Sequence, residues 1–248
     1  LSPCPPEHDA KWRFFWRIGD KPSTTKYPTL NADPVIPPEI PEWSDVMNMW
    51  GTKMLSAVEI LAEMAAIGFG LPAAAFNEKM SCGPHLLAPT GSDFNKYGIK
   101  DTILAGYHSD LNFMTIHGKS RYPGLYAWTR EGKKISVSVP DGCLLVQSGK
   151  QFEYLTGGYV MAGFHEVVVT EKTLETIQSR KEQGKSLWRV SSTLFSHVAS
   201  DAIMEPLTCS IFQEYNTNNT NITKEFPSIE AGQFVKEELE AINLLGTK

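Results

Sequence analysis

The run Gly106-Tyr107-His108-Ser109-Asp110-Leu111-Asn112-Phe113-Met114-Thr115-Ile116 decides how the chain is read. It sets an imidazole and a carboxylate two positions apart and follows them with an apolar stretch. On a strand, residues two apart project from one face, so His108 and Asp110 can reach a common point. Short runs of the same kind lie on either side: Ile103-Leu104, Phe113 to Ile116, Leu125 to Trp128, Ile135 to Val139, Leu144 to Gln147, Val167 to Thr170 and Val190 to Phe195. Glycine, proline and aspartate punctuate them, with Glu131-Gly132 and Asp141-Gly142 as the turn dipeptides between consecutive strands. Closely spaced short strands without intervening helices predict an antiparallel sandwich or barrel.

Helical spacing falls on the flanks and in one insertion. Ser44 is a candidate N-cap for Val46, Trp50, Met54, Val58, Leu61 and Ala65, a helix with one buried face that ends at Gly68 and Gly70. Pro72 opens a second, short helix from Ala73 to Phe76. Glu171 to Trp188 is a charged insertion with helical tendency, and Phe234, Val235, Leu239 and Ile242 predict a closing amphipathic helix. Pro3 to Pro41 reads as extended, irregular chain whose aromatic cluster at Trp12 to Arg17 packs on a neighbouring element. The polar run Asn216 to Thr223, which holds two glycosylation-like triplets, reads as a surface loop.

At 248 residues, 42% hydrophobic and 21% charged, the chain has the size and balance of one globular domain. A net charge of −5 offers no sustained positive field for nucleic acid. The most apolar window, Met64 to Phe76, is broken by Gly68, Gly70 and Pro72, so no membrane span is expected. The four cysteines form no CxxC pair and no disulfide framework, which fits a reducing, cytoplasmic compartment. Leu1-Ser2-Pro3 has neither an initiator Met nor the regions of a signal peptide, so a truncated start is expected. No apolar stripe stands out, and the chain is expected to be a monomer.

A third possible ligand, His165, stands in Gly163-Phe164-His165-Glu166-Val167. Two His and one carboxylate can form the facial triad of non-haem Fe(II) oxygenases, which leaves metal positions open for further ligands. Taken alone, the two histidines could equally be hydrogen-bonded core or turn residues. Trp188-Arg189-Val190-Ser191 adds a guanidinium and a hydroxyl on one strand face, a pair able to grip one carboxylate.

With these residues in place, the chain resembles the isopenicillin N synthase-like branch of the 2-oxoglutarate and Fe(II)-dependent dioxygenases. The likeness rests on HxD at His108 and Asp110, the distal His165, and RxS at Arg189 and Ser191. Asp110 to Ile116 is similar to the strand after HxD in that family, and Pro123-Gly124-Leu125 to its GGL turn. Asp141 to Glu153, continued by Leu155-Thr156-Gly157-Gly158, resembles its PGxLVVNxGDxLExxTNG stretch. Trp16 to Gly19 and Trp50-Gly51 resemble the segment upstream.

The resemblance implies a mainly β fold with flanking helices around a double-stranded β-helix, the jelly-roll or cupin-like core. It implies a single dioxygenase domain over residues 1–248: extended and helical support in 1–82, the jelly-roll core in 83–215 and a C-terminal helix in 226–248. His108, Asp110 and His165 would be the metal ligands and catalytic centre for Fe(II). Arg189 and Ser191 would hold the distal carboxylate of the cosubstrate 2-oxoglutarate. With O2 the enzyme would hydroxylate, desaturate or cyclise a small-molecule substrate, releasing succinate and CO2. The alternatives are a 2-oxoglutarate-independent Fe(II) oxidase, in which the RxS pair grips a substrate carboxylate, and a catalytically silent jelly-roll binding protein.

The sequence departs from the family where a tyrosine strand is usual, since His85-Leu86-Leu87-Ala88-Pro89-Thr90-Gly91 has no tyrosine. The gap from His165 to Arg189 is also longer than usual, and Arg180 lacks the RxS context. His117 stands at an odd offset from the HxD pair, so on a regular strand it packs or lines a rim, with a substrate contact as the less favoured alternative. Asn112 shares the ligand face and is either a substrate contact or a satisfied sheet polar group. His8, His85 and His197 have no ligand-like spacing and are read as structural. Cys143, Trp128 and Phe152 are read as core.

Overall fold

A computed structural model describes residues 9–218 and 225–242. The chain opens with two short strands, β1 (Trp12–Arg13) and β2 (Trp16–Ile18), and the long helix α1 (Trp43–Gly68). After α2 (Ala75–Met80) come β3 (His85–Asp93), α3 (Phe94–Tyr97), β4 (Ile103–Ser109), β5 (Met114–His117), β6 (Leu125–Trp128) and β7 (Lys134–Ser136). Then follow β8 (Leu145–Ser148), α4 (Lys150–Leu155), β9 (Phe164–Val168), α5 (Glu171–Glu182) and β10 (Trp188–Ser196). The chain closes with β11 (Ile203–Met204), α6 (Ser210–Asn218), β12 (Ile229–Glu230) and α7 (Ala231–Ala241).

All strand pairs are antiparallel. One large sheet runs β1-β3-β10-β5-β8, with β2 also on β3, the facing one runs β4-β9-β6-β7, and β11 and β12 pair separately. From β3 to β10 the chain passes repeatedly from one sheet to the other, the winding of a jelly roll. The two-residue side-chain period then separates core from cavity. On β10 and its neighbours, Leu194 is paired with Leu87 and Ile116, and all three are buried beneath Met54, Val58 and Ala62 of α1 in one apolar cluster. One residue away on each strand, Thr193 is paired with Ala88 and His117, and Thr193 and His117 line a cavity between the sheets.

Helix α1 begins at Trp43, so Ser44 lies inside its first turn and makes no cap. Gly51 is required where α1 crosses β2, because a Cβ there would stand 2.2 Å from Ile18 Cδ1. The far side of the helix exposes Val46, Met49, Ile60, Met64 and Ile67, an apolar stripe that removes the sequence argument for a monomer. Among the described residues no helix is long and apolar enough to cross a membrane.

The charged insertion is α5, capped by Thr170 and Thr173 and docked through Leu174 and Ile177 on a second cluster with Phe94, Leu104, Tyr122 and Val169. Phe152 is buried as expected, whereas Trp128 is half-buried and set edge-on to Tyr107. Cys143 is exposed rather than core, because it sits in the turn at Asp141-Gly142 just before β8. Most of the polar loop at Asn216 to Thr223, His8, and the end of the C-terminal helix expectation past Ile242 lie outside the described residues.

The crossing from β4 to β5 is clamped from below. Gly149, Lys150 and Gln151, at the start of α4, donate their backbone N–H groups to the carbonyls of Phe113, Asp110 and Asn112. The approach is so close that a Cβ on Gly149 would lie 2.0 Å from the Asn112 carbonyl oxygen. Gly149→Ala is therefore expected to lower stability by about 1–3 kcal/mol, read as a lower midpoint in urea unfolding.

Candidate metal centre and carboxylate pocket

The β4–β9 ladder makes the first half of the site. His108 and His165 are direct cross-strand partners, after register shifts that let the end of β4 bend. Their rings stand 4.3 Å apart between centroids. Each ring is oriented by a carbonyl two residues earlier: His108 Nδ1 meets Gly106 O at 2.6 Å, and His165 Nδ1 meets Gly163 O at 3.2 Å. A carbonyl only accepts, so the proton sits on Nδ1 and the Nε2 lone pair is free to bind a cation.

Asp110 lies just past the end of β4, in the clamped turn. Its Oδ1 stands 3.5 Å from His108 Nε2 and 3.9 Å from His165 Nε2, and candidate ligand atoms of the three residues all lie within 4.8 Å of one another. One ion at ordinary bond lengths of about 2 Å spans donors roughly 3–4 Å apart, and both distances from Asp110 Oδ1 fall in that range. The Asp110 Oδ2 accepts a 2.6 Å hydrogen bond from Thr115, which leaves Oδ1 to the centre. Burial opposes charge on Asp110, but the proximity of His108 and His165 and the hydrogen bond from Thr115 outweigh it and hold its carboxyl below the usual range. For His108, burial is outweighed by Asp110 and the pKa is raised. For His165, burial prevails and the pKa is lowered.

The facing sheet makes the second half. A cavity of about 140 Å³ is lined by the triad at one side and by Arg189, Ser191, Thr193, Thr90 and Ser92 at the other. Arg189 makes no hydrogen bond or ion pair among the described residues, and its Nε is buried without a partner. Burial alone lowers its pKa to about 10, with no carboxylate beside it to compensate. Ser191 is exchanged only with Thr193, at 3.3 Å between hydroxyls. A buried cation with no counter-charge is costly, and its fork is suited to a carboxylate. Arg180, by contrast, lies on α5 and donates to Tyr122 OH and the Ser186 carbonyl, away from the cavity.

His117 also lines this cavity, which parity from the HxD pair did not predict. The chain leaves the sheet between β4 and β5, so the odd-even count restarts at Met114. Its Nδ1 meets Gly118 O at 2.9 Å, and burial lowers its pKa. Asn112 is the sheet polar group of the two readings: it is buried and its Nδ2 donates to Met114 O. His85 and His197 are buried behind the sheet, where His85 Nδ1 accepts the His197 N–H at 3.0 Å. Burial pushes their pKa values down to about 4 and about 3. Among the described residues no tyrosine lines the cavity; Thr90 and Ser92 of β3 occupy that wall instead.

Residues 87–198, which hold all five of the expected ligand and carboxylate-binding positions, match the family model of the 2OG-Fe(II) oxygenase superfamily. Over that segment, a little under half of its length, the chain is similar to a superfamily whose members are oxidoreductases using Fe(II), 2-oxoglutarate and O2. It is similar to a 2OG-Fe(II) oxygenase family protein from Caulobacter crescentus, at 24% identity and a TM-score of 0.75 over 95% of this chain and 71% of that one. It is similar in fold to a full-length Neurospora crassa protein solved with alpha-KG and thymine, at 16% identity and a TM-score of 0.70 over 95% of this chain and 66% of that one. A third neighbour, JOX2 solved with 2OG, Fe and JA, shares 18% identity and a TM-score of 0.58 over 92% of this chain and 64% of that one. The chain thus spans about two thirds of the length of these neighbours. A comparison with curated proteins finds no match.

Thr115 is the hydrogen-bond donor behind the only carboxylate of the triad. Thr115→Val should weaken binding of a divalent metal by about 10- to 100-fold while keeping the fold, a change that calorimetric titration with Mn(II) or Fe(II) would resolve.

Proposed function

We propose that His108, Asp110 and His165 hold Fe(II), and that Arg189 and Ser191 take the distal carboxylate of 2-oxoglutarate. The observation that carries this reading is the unpaired, buried Arg189 guanidinium facing a cavity whose other side is the triad. The donor set fits the metal: two imidazoles with Nε2 free and one carboxylate oxygen oriented by Thr115. When bound, the iron and its cosubstrate supply the oxidising chemistry, with release of succinate and CO2. The chain's own part is binding and exclusion. Gly106 and Gly163 carbonyls orient the two imidazoles, Thr115 orients Asp110, and Arg189 fixes the far end of the cosubstrate. Leu104, Leu125, Val167 and Phe195 add apolar wall that limits water.

The substrate is a small molecule that is hydroxylated, desaturated or cyclised; fold neighbours solved with thymine and with JA support that size of ligand. The acidic balance argues against nucleic acid as partner. The three described cysteines are unpaired, which supports a reducing, cytoplasmic compartment.

Anaerobic titration of the Fe(II)-loaded protein with 2-oxoglutarate should give the visible charge-transfer band of an iron chelate. Arg189→Ala should keep Fe(II) and raise the Kd for 2-oxoglutarate by roughly 10- to 100-fold, the loss of a charge-assisted hydrogen-bonded contact. His108→Ala or Asp110→Ala should abolish Fe(II) binding. Full Fe(II) affinity in Asp110→Ala would overturn the ligand assignment, and bound iron without a band would favour a 2-oxoglutarate-independent oxidase.

A further inference from the structure

Ser92 of β3 is the direct cross-strand partner of Arg189 on β10, and directly opposed residues of an antiparallel pair share a face. Ser92 is 1% exposed, and its hydroxyl has no hydrogen-bond partner. The Arg189 Nε is in the same condition. Two buried polar atoms on facing side chains are therefore both unpaired, one a donor and the other able to accept. Both residues line the cavity, yet neither of these two atoms is open to it.

The backbone around the pair is held. Trp188, one residue before Arg189, packs its ring over Gly91, where a Cβ would lie 3.3 Å from the indole. The Phe94 N–H donates to the Leu187 carbonyl at 3.1 Å and closes the end of the β3–β10 ladder. With the strands fixed, pairing the two orphaned atoms requires only side-chain torsion. The Arg189 Nη groups are the part of the fork left for a ligand, and a carboxylate drawing them into line would turn the Nε edge toward β3.

We propose that Ser92 is a positioning residue for the carboxylate site: its Oγ accepts the Arg189 Nε–H when a carboxylate occupies the guanidinium, locking the fork in its binding orientation. This rests on the reading of Arg189 given above. Ser92 does not touch the ligand; it lowers the freedom of the side chain that does. In the ligand-free protein the hydroxyl is a buried cost with no bond to show for it, so its removal does not weaken the fold.

The test is a double-mutant cycle on the Fe(II)-loaded protein, titrated anaerobically with 2-oxoglutarate and accompanied by thermal unfolding without it. Ser92→Ala should raise the Kd for 2-oxoglutarate about 5- to 20-fold, leave Fe(II) affinity unchanged and leave the Tm of the ligand-free protein equal or higher. Ser92→Thr, which keeps the hydroxyl, should recover most of the affinity. In an Arg189→Lys background, where no Nε–H fork exists, Ser92→Ala should have no further effect. An unchanged Kd in Ser92→Ala, or an equal loss in the Arg189→Lys background, would overturn the inference. If Arg189→Lys itself left the affinity of the parent unchanged, the failure would lie with the assignment of Arg189 to the carboxylate.

Discussion

The pairing of β10 between β3 and β5 is the constraint on which the rest of the molecule depends. Its register sets Leu194 beneath α1 with Leu87 and Ile116, and sets Thr193, Ser191 and Arg189 into the cavity. A slip of one residue would exchange the two rows, burying hydroxyls against the helix and turning leucines into the site. The apolar cluster under α1 therefore does more than stabilise the sheet. It fixes which side of β10 the guanidinium occupies, and the same burial that holds the fold aims that group into the cavity.

The site is built against the preference of its own groups. Arg189 sits buried without a counter-ion, and Asp110 is buried with only part of its oxygen shell satisfied by Thr115. Each arrangement costs free energy in the folded state, and removing such a cost by binding is what gives a ligand its hold. The burden is placed where the scaffold is strongest. Asp110 lies in a turn clamped by three backbone N–H groups at the start of α4, and Arg189 lies on the central strand of its sheet.

The sequence disclosed those parts whose signal is local. The HxD spacing, the distal His165 and the Arg-x-Ser pair are recognisable because each needs particular residue types at short range, and the structure brings all five to one cavity. Strands β5, β6 and β8 and the insertion helix α5 follow from runs of apolar or charged residues. Strand β3 did not stand out by composition, because Pro89 and Gly91 break its pattern while its neighbours on both sides supply the pairing. Helix α4 has too few residues to show a period. His117 was misplaced by carrying an odd-even count through a turn, and the orphaned Ser92 opposite Arg189 is a fact of register that no single strand contains.

The two halves of the cavity belong to different sheets. The candidate metal ligands come from the β4–β9 ladder and the turn that follows β4, whereas the guanidinium comes from β10 on the facing sheet. Facing sheets lie about 10 Å apart, a distance set by the side chains between them and not by either ladder. A dicarboxylate chelated at one end and gripped at the other would therefore act as a strut across that gap. On that reading a shorter acid would satisfy the metal or the arginine but not both, the packed wall of Leu125, Val167 and Phe195 resisting closer approach of the sheets. On the proposed reading, selection for the length of the cosubstrate would reside in the packing between the sheets, with the five polar residues reading it out.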